Sequence, residues 1–417
     1  MSKVKTLVPK LRFPEFKDAG GWEYTPLAKL LMSSPDYGVN AAAVPFSERL
    51  PKYLRITDIS DDGAYLSNKK VSVDLEPTDE IYLDEGDIVL ARTGASVGKS
   101  YRYRKEDGKL VFAGFLIRVK PDKTKLVSGY LANFLTTRQY WDWVAANSAR
   151  SGQPGINSTE YSSLAIPLPP DDLAEQQKIA SCLSSLDRLI TAHTQKLNAL
   201  KTYKKGLMQQ LFPPEGETVP RLRFPEFRGD GEWEPQPLSA LIDLISGMHL
   251  SPEDYSTAGE VPYFTGPSDF TNELPNVTKW TKRTSNVSRA EDTLITVKGS
   301  GVGETWYSTL SAVAMGRQLM AVRSKIGSSR FMFQFLLTKR SRFKDLGSGN
   351  LIPGLSRNAI LELEACFPSP AEQQRIASCL TSLDTLITEQ SRKLVRLMTH
   401  KKGLMQGLFP SRKANVR

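Results

Sequence analysis

The stretch of this sequence closest to a catalytic motif is Gly94–Ser100, which reads GASVGKS. A phosphate-binding loop of this kind needs four residues between its two glycines, so that successive backbone amides can wrap the phosphate oxygens. Only three residues separate Gly94 from Gly98, and the related stretch Gly299–Glu304 (GSGVGE) has no lysine. We therefore expect a glycine-rich turn between strands, whose amides and neighbouring side chains could contact the phosphates of a partner.

No other stretch offers catalytic or metal chemistry. The three histidines, His193, His249 and His400, lack the setting of a serine or cysteine triad, and the three cysteines lack metal-ligand spacing. A sparse, odd set of cysteines is typical of free thiols in a reducing cytoplasm. We find no signal peptide and no apolar run long enough to span a membrane. The sequence thus predicts a cytoplasmic binding protein with no catalytic residue, metal or cofactor on this chain.

The charge balance indicates which partner such a protein would bind. A net charge of +10 favours an acidic partner such as nucleic acid. Arginine, lysine and glutamine are residue types that neutralise phosphates and contact base edges in DNA. The candidate DNA-binding residues are Arg55, Lys69, Lys70, Arg92, Ser96, Lys99, Arg102, Arg104, Arg150 and Gln153 in the first half, and Lys279, Lys282, Arg283, Lys298, Arg317, Arg340, Arg342 and Arg357 in the second. Two alternatives are a nucleotide-dependent nucleic-acid modifier and an interaction scaffold with an incidentally basic surface.

The elements that position these residues come from an internal duplication. Ala174–Pro213 and Ala371–Pro410 are identical at 28 of 40 positions, at a constant offset of 197. Each copy lacks an internal proline and is predicted to form one long helix, with Asp172 and Ser369 as candidate N-caps. At 1.5 Å per residue each helix would be roughly 50 Å long.

Apolar residues in both copies recur at alternating steps of four and three over more than four heptads, which is typical of a coiled coil. The predicted seam consists of Ile179, Leu183, Leu186, Ile190, His193, Leu197 and Leu200 in the first helix, and Ile376, Leu380, Leu383, Ile387, Gln390, Leu394 and Leu397 in the second. His193 and Gln390 are polar at equivalent places. An antiparallel pairing would bring these two residues near one another across a pseudo-twofold axis.

The duplication also includes the globular parts that precede the helices. LRFPEF occurs at Leu11–Phe16 and again at Leu222–Phe227, and the offset between the copies shrinks from 211 to 197 along each unit. The two globular parts therefore share a scaffold but differ in side chains and loop lengths. We expect each to be α+β. Strands are predicted at Tyr53–Ile59, Asp87–Arg92, Leu110–Lys120, Leu164–Leu168, Pro262–Thr265, Thr293–Lys298 and Ala312–Arg323, and helices near Ser128–Ala146 and Ser328–Asp345.

This order of parts resembles the specificity (S) subunits of type I restriction–modification systems. Ile166–Pro170 (IPLPP) and Phe367–Pro370 (FPSP) each lead into a helix that begins with AEQQ and continues to the dipeptide LD. The resemblance covers nearly the whole chain, and the duplicated helix is its most specific part.

The resemblance implies two tandem α/β target-recognition domains, each followed by a long helix, with the helices pairing as an antiparallel coiled coil of pseudo-twofold symmetry. Each domain would read one half of a bipartite, asymmetric site in double-stranded DNA. The coiled coil would set the spacer and dock two methyltransferase (M) subunits, with which two restriction (R) subunits can associate. S-adenosylmethionine would bind to M, and ATP and magnesium to R, in a bacterial or archaeal cytoplasm. The chain itself would not be an enzyme.

The implied boundaries follow the repeat. They are an N-terminal arm (1–20), a first recognition domain (21–170), a central helix (171–212), a linker carrying the repeated LRFPEF (213–232), a second recognition domain (233–368), a C-terminal helix (369–410) and a tail (411–417).

Overall fold

A computed structural model of the chain describes residues 7–66, 68, 70–76, 78–149, 152–170, 173–283, 285–347 and 354–410. The chain forms two compact units. The first comprises the residues up to Thr194 together with those from Lys393 onward, and the second comprises Gln195–Arg392. Each unit therefore combines a globular part with the N-terminal portion of one long helix and the C-terminal portion of the other.

The first unit contains ten short strands and three short helices before its long helix within the described residues. The strands are β1 (Glu23–Pro26), β2 (Asp36–Tyr37), β3 (Ala43–Pro45), β4 (Lys52–Leu54), β5 (Val71–Val73), β6 (Ile88–Ala91), β7 (Ser100–Arg102), β8 (Leu110–Phe112), β9 (Leu116–Val119) and β10 (Ala165–Leu168). The helices are α1 (Ser128–Phe134), α2 (Arg138–Ser148), α3 (Ser158–Ser162) and the long α4 (Leu173–Leu211).

The strands of the first unit form two four-stranded sheets, in the orders β2-β9-β6-β7 and β3-β5-β4-β8, and a small β1-β10 ribbon. β4 and β8 are parallel, and the other pairs are antiparallel. The main core lies between the first sheet and helices α1 to α3, where Trp22, Tyr130 and Phe134 pack together with Ile179 and Leu183 of α4. Burial of this apolar surface supplies the main driving force for folding of the unit.

The second unit repeats this plan. Its strands are β11 (Glu234–Pro237), β12 (Ile242–Ser246), β13 (Tyr255–Ser256), β14 (Val261–Phe264), β15 (Trp280–Thr281), β16 (Val287–Arg289), β17 (Thr293–Thr296), β18 (Thr305–Tyr307), β19 (Ala312–Met315), β20 (Leu319–Ser324) and β21 (Glu364–Phe367). Its helices are α5 (Leu238–Leu241), α6 (Ser329–Thr338), α7 (Arg340–Gly347), α8 (Arg357–Leu361) and the long α9 (Pro370–Leu408). The sheets run β12-β20-β17-β18 and β13-β15-β14-β19-β16, beside a β11-β21 ribbon. Trp233, Phe331 and Phe335 form the core with Ile376 and Leu380 of α9.

Within each unit, the two long-helix segments run antiparallel. In the first unit, Asp187 of α4 accepts a hydrogen bond from Lys401 Nζ at 2.5 Å, and Leu408 shares the core with Ile179. In the second unit, Lys204 Nζ donates to Asp384 at 2.6 Å, and Leu211 shares the core with Ile376. The coiled-coil packing of the helices over their full length stays a prediction. No helix of the described chain is apolar enough over a sufficient length to cross a membrane.

The α+β prediction is confirmed, with corrections to individual elements. The run predicted at Tyr53–Ile59 is a strand only to Leu54, because Ile56–Asp58 turns into a 3-10 helix. Leu110–Lys120 and Ala312–Arg323 are each two strands, separated by turns at Gly114 and Gly316.

Both predicted globular helices are also broken in two. The first ends at Phe134 and restarts at Arg138, because the Thr137 hydroxyl accepts a bond from the Tyr140 amide and caps a new helix. The second restarts at Arg340. Among the long helices, the Ser369 cap is confirmed, since its hydroxyl accepts a bond from the Glu372 amide at 3.4 Å. Asp172 lies outside the described residues.

Candidate nucleic-acid interface

The glycine motifs form equivalent hairpin turns in the two units. Gly94 and Gly98 lie between the antiparallel strands β6 and β7, and Gly299 and Gly303 lie between β17 and β18. All four glycines have positive φ angles, between 71° and 88°, which L-residues with side chains adopt at a cost. A phosphate-binding loop leads from a strand into a helix N-terminus, whereas both of these turns lead into a strand. The structure therefore contradicts a nucleotide site here and supports the predicted glycine turn.

The backbone around each turn is held by the same pattern of hydrogen bonds. In the first unit, Arg92 N–H donates to Phe115 O, Ile156 N–H donates to Arg92 O, and Gly155 N–H donates to Ser148 O. The equivalent bonds of the second unit run from Val297 N–H to Gln318 O, from Leu355 N–H to Val297 O, and from Gly354 N–H to Gly347 O. Equivalent backbone positions can thus be compared between the units. They present different side chains on the same frame.

In the first unit, polar and aromatic side chains surround the turn. We call Tyr37, Arg92, Gly94, Gln153 and Ser158 the Gly94 surface. The Arg92 guanidinium lies 4.8 Å from the centre of the Tyr37 ring, in cation–π geometry. The Tyr37 hydroxyl lies 3.1 Å from Ser158 Oγ and accepts a hydrogen bond from the Ser158 amide at 3.2 Å, and hydrogen bonding with Ser158 lowers the pKa of Tyr37. The Arg92 side chain is therefore held in place rather than freely mobile.

In the second unit, Thr265, Gly266, Lys298, Gly299 and Gln318 surround the equivalent turn, and we call them the Gly299 surface. Lys298 and Gln318 are exposed. Gln318 also lines a cavity of about 210 Å³ together with Tyr255, Tyr263 and Arg317. This cavity opens beside the turn and gives the second unit a recess lined by aromatic and basic side chains.

Ion pairs with buried or half-buried carboxylates engage two of the predicted DNA-binding residues. Arg55 donates to both carboxylate oxygens of the buried Asp58, at 3.0 and 2.8 Å. Lys279 lies 3.3 Å from Asp269. Burial alone would raise the pKa of Asp269, but hydrogen bonds from Thr265 and the charge of Lys279 lower it overall. Both cations therefore stabilise a loop, which favours a structural role for them.

The remaining candidates of the first unit fall into separate places. Ser96 lies in the glycine turn, and Lys99 pairs with Asp61 at 2.7 Å. Arg102 and Arg104 line a cavity that also includes Ser184 and Asp187 of α4, and burial lowers the pKa of Arg102. Lys70 lies 5.9 Å from the Phe46 ring centre. Lys69 and Arg150 lie outside the described residues.

The remaining candidates of the second unit are also dispersed. Four of them contact oxygen atoms of the chain. Arg283 pairs with Asp254 at 2.6 Å, Arg340 with Glu304 at 2.8 Å and Arg342 with Glu215, and Arg357 donates to the Leu244 carbonyl at 2.5 Å. Lys282, Lys298 and Arg317 are exposed, and their side chains make no ion pair within the described chain. These three cations are therefore available to a ligand.

Every predicted seam residue of the long helices is buried or half-buried. Ile179, Leu183, Leu197, Ile376, Leu380 and Gln390 are buried, and Leu186, Ile190, His193, Leu200, Leu383, Ile387, Leu394 and Leu397 are half-buried. Leu189 and Leu386, each directly before a seam isoleucine, are exposed.

Sequence reasoning missed one pair of structural contacts. Arg12 of the first LRFPEF motif forms a bidentate ion pair with Glu175 at the start of α4, at 2.8 and 2.7 Å. Arg223 of the second motif does the same with Glu372 of α9. The repeated arginine and the repeated glutamate were both visible in the sequence, but separations of 163 and 149 residues gave no sign that they meet.

Comparison with known proteins identifies the family. The profile of the type I restriction modification DNA specificity domain matches residues 39–202 and 230–397, one match for each repeat. The chain belongs to this family. It is a specificity subunit that recognises DNA sequence through two tandem domains.

Individual relatives agree with this assignment. The chain is 27% identical over 369 residues to a protein of Methanocaldococcus jannaschii named as the MjaX type I restriction enzyme specificity subunit, and the match covers 85% of each chain. It is 22% identical to the MjaVIII specificity subunit of the same organism, covering 79% of this chain and 80% of the relative.

Solved structures share the fold. The S subunit of a type I restriction–modification system from M. genitalium matches with a TM-score of 0.68 and 16% identity, covering 98% of this chain and all of the other. A chain from a structural study of complex assembly in a type I restriction–modification system matches with a TM-score of 0.54 and 18% identity, covering 94% and 98%.

Proposed function

We propose that the two globular domains of this specificity subunit read different halves of one bipartite, asymmetric site in double-stranded DNA. The observation that carries this proposal is the shared backbone frame with different side chains. Where the first unit has Arg92 and Phe115, the second has Val297 and Gln318 at positions joined by the same hydrogen bond. Side chains that contact base edges determine sequence preference, so two different sets on one frame read two different sequences.

The long helices hold the two domains apart and bind the catalytic partners in this proposal. Support comes from exposed positions that are identical in both helix copies. Leu189 and Leu386 are repeat equivalents, and each is 49% exposed. The fold gains little from an exposed leucine, whereas a docked partner gains apolar contact. Two equivalent surfaces on one chain suit two copies of one methyltransferase subunit.

Catalysis then belongs to the partners. The methyltransferase subunits would bind S-adenosylmethionine and methylate adenine, and two restriction subunits would bind ATP and magnesium and cleave DNA. The contribution of this chain is to place those subunits on a chosen sequence. Its basic surfaces would hold the DNA backbone while other side chains contact the bases.

The test is to map methylated adenines across the genome in cells with and without this gene. The expected result is loss of one bipartite, asymmetric motif on deletion, and two copies of a methyltransferase should co-purify with the tagged chain. A Leu189→Arg and Leu386→Arg double variant should reduce the bound methyltransferase. An unchanged methylation map in cells where the methyltransferase does co-purify would refute the DNA-reading function.

A further inference from the structure

The two glycine turns have a common feature that the duplication does not explain. In each unit, the carboxamide of an exposed glutamine lies close to the first glycine of the turn. A Cβ placed on Gly94 would lie 3.0 Å from Gln153 Nε2, and a Cβ placed on Gly299 would lie 3.9 Å from Gln318 Oε1. The same Gln318 oxygen lies 3.2 Å from a Cβ placed on Gly266. Glycine at these positions leaves room for the amide.

The two glutamines are not repeat equivalents. Gln153 lies in the segment between α2 and α3, whereas Gln318 lies in the turn between β19 and β20. The backbone frame pairs Gln318 with Phe115, and the sequence offset of 199 in this region pairs Gln153 with Ile352. The same side-chain group has therefore reached the same turn from two different elements. Common ancestry of the units does not account for that, whereas a shared task would.

Both carboxamides are available to a ligand. Gln153 and Gln318 are exposed, and neither side chain makes a hydrogen bond within the described part of the chain. Each amide offers one donor group and one acceptor in a fixed plane. In the major groove, adenine presents the complementary pair, an N7 acceptor and an N6 donor, and glutamine matches it with two parallel hydrogen bonds.

The surroundings supply the remaining requirements of a base-reading residue. Arg92 lies in the first surface, and Lys298 and Arg317 lie beside Gln318 in the second, so phosphate-binding cations flank each amide. Phosphate contacts position the DNA, and an uncharged amide between them can discriminate bases. Gln318 was not among the candidates from sequence, because nothing in its local sequence marks it.

We propose that Gln153 and Gln318 are specificity-determining residues, each of which contacts the adenine of one A·T base pair in the half-site that its domain reads. This inference rests on the proposed function, and it names the base pair and the reader on each domain. Loss of one bidentate contact should reduce discrimination at that base pair by about 5- to 150-fold. The other half-site should be unaffected, because the second glutamine belongs to the other unit.

The experiment selects DNA from randomised duplexes with the purified complex of this chain and its methyltransferase subunits. Gln153→Ala should abolish the preference for A·T at one position of one half-site, and Gln318→Ala should do so in the other half-site. Gln153→Glu removes the donor of the side chain, and a carboxylate accepts from cytosine N4. That variant should therefore shift the preferred base from adenine toward cytosine, which a folding defect could not do.

Controls separate this inference from the proposed function. Gln195→Ala, at an exposed glutamine of α4, should leave both half-site preferences unchanged. If the wild-type complex selects no bipartite motif, the proposed function itself fails. If the wild type selects a motif and the Gln153 and Gln318 variants keep the same base preferences, or lose affinity equally for all sequences, the assignment of these two readers is wrong.

Discussion

Removal of the Arg223 side chain should destabilise the second unit strongly, because it would leave a carboxylate buried without a counter-ion. Glu372 is only 1% exposed, and Arg223 donates to both of its oxygens at 2.8 and 2.7 Å. The remaining guanidinium nitrogen donates to the carbonyl oxygens of Asp230 and Gly231 at 2.7 and 2.9 Å. The hydrogen bonds to Glu372 raise the pKa of Arg223 above its usual value.

The size of the effect follows from this geometry. Breaking a buried ion pair by removing one partner costs about 3–5 kcal/mol, whereas replacing both partners with apolar residues is often close to neutral. We therefore expect Arg223→Met to lower the free energy of unfolding of the second unit by about 3–5 kcal/mol. For a folding unit of 150–250 residues this corresponds to roughly 6–20 °C in melting temperature. The Arg223→Met, Glu372→Met double variant should recover most of the loss.

Thermal and urea unfolding of the chain, followed by circular dichroism, would measure both values. Arg12→Met provides a matched comparison, since Arg12 makes the same bidentate contact with Glu175 and donates to two carbonyl oxygens in the first unit. A double variant as unstable as the Arg223→Met single variant would refute the reasoning. The loss would then come from the unpaired carbonyl groups and not from the buried carboxylate.

Four further predictions address the turns, the helices and a half-buried lysine. Gly98→Ala should lower the free energy of unfolding by about 1–3 kcal/mol, because φ is +88° and the new Cβ would crowd a neighbouring side chain. Gly206→Ala, in open space on α4, should raise it by about 0.5–1 kcal/mol in the same urea titration. A double-mutant cycle on Lys401 and Asp187 should give a coupling of only about 0.2–1 kcal/mol, since the pair is partly exposed; a coupling above 2 kcal/mol would contradict this. Burial lowers the pKa of Lys339 in the folded state, so stability should rise with pH between that lowered pKa and the unfolded value near 10.4, and Lys339→Met should flatten the pH profile of the melting temperature. Inserting one heptad at equivalent points of both long helices should lengthen them by about 10 Å and the DNA spacer by roughly three base pairs, with unchanged half-sites in a methylation map.

Much of the fold could be predicted from the sequence, because the duplication supplied an internal comparison. The matched helices, with their four-and-three apolar spacing, predicted α4 and α9 and the buried side of each. Local capping and turns determine where helices and strands are interrupted, which the apolar pattern did not predict. Thr137 restarts a helix inside an otherwise continuous helical pattern, and the turns at Gly114 and Gly316 divide two long apolar runs into strand pairs. These breaks depend on single hydrogen bonds and backbone angles rather than on hydrophobic period.

The candidate interface was less predictable, since composition does not reveal which cations are already paired. Arg55 and Lys279 stood beside Arg92 and Lys298 as equal candidates, but only the structure shows that Asp58 and Asp269 hold the first two. Nothing in the sequence around Gln318 marked it as a candidate, because its place beside Gly299 depends on the turn between β19 and β20, which brings it next to a glycine about 20 residues earlier in the chain. Residues brought together from separate elements leave no local pattern to read.

The contrast between the two kinds of repeated contact indicates how such a chain can change its target. Arg12 with Glu175, and Arg223 with Glu372, are repeated residue for residue and join each LRFPEF motif to a long helix. Around the glycine turns only the backbone bonds repeat, while the side chains on them differ. Substitution at those side chains alters no backbone hydrogen bond of the frame, so under the proposed function it would change base preference at little cost in stability. An exchange of Phe115 and Gln318 between the turns tests this directly, and we expect both variants to keep their melting temperatures within about 2 °C while the selected DNA motif changes.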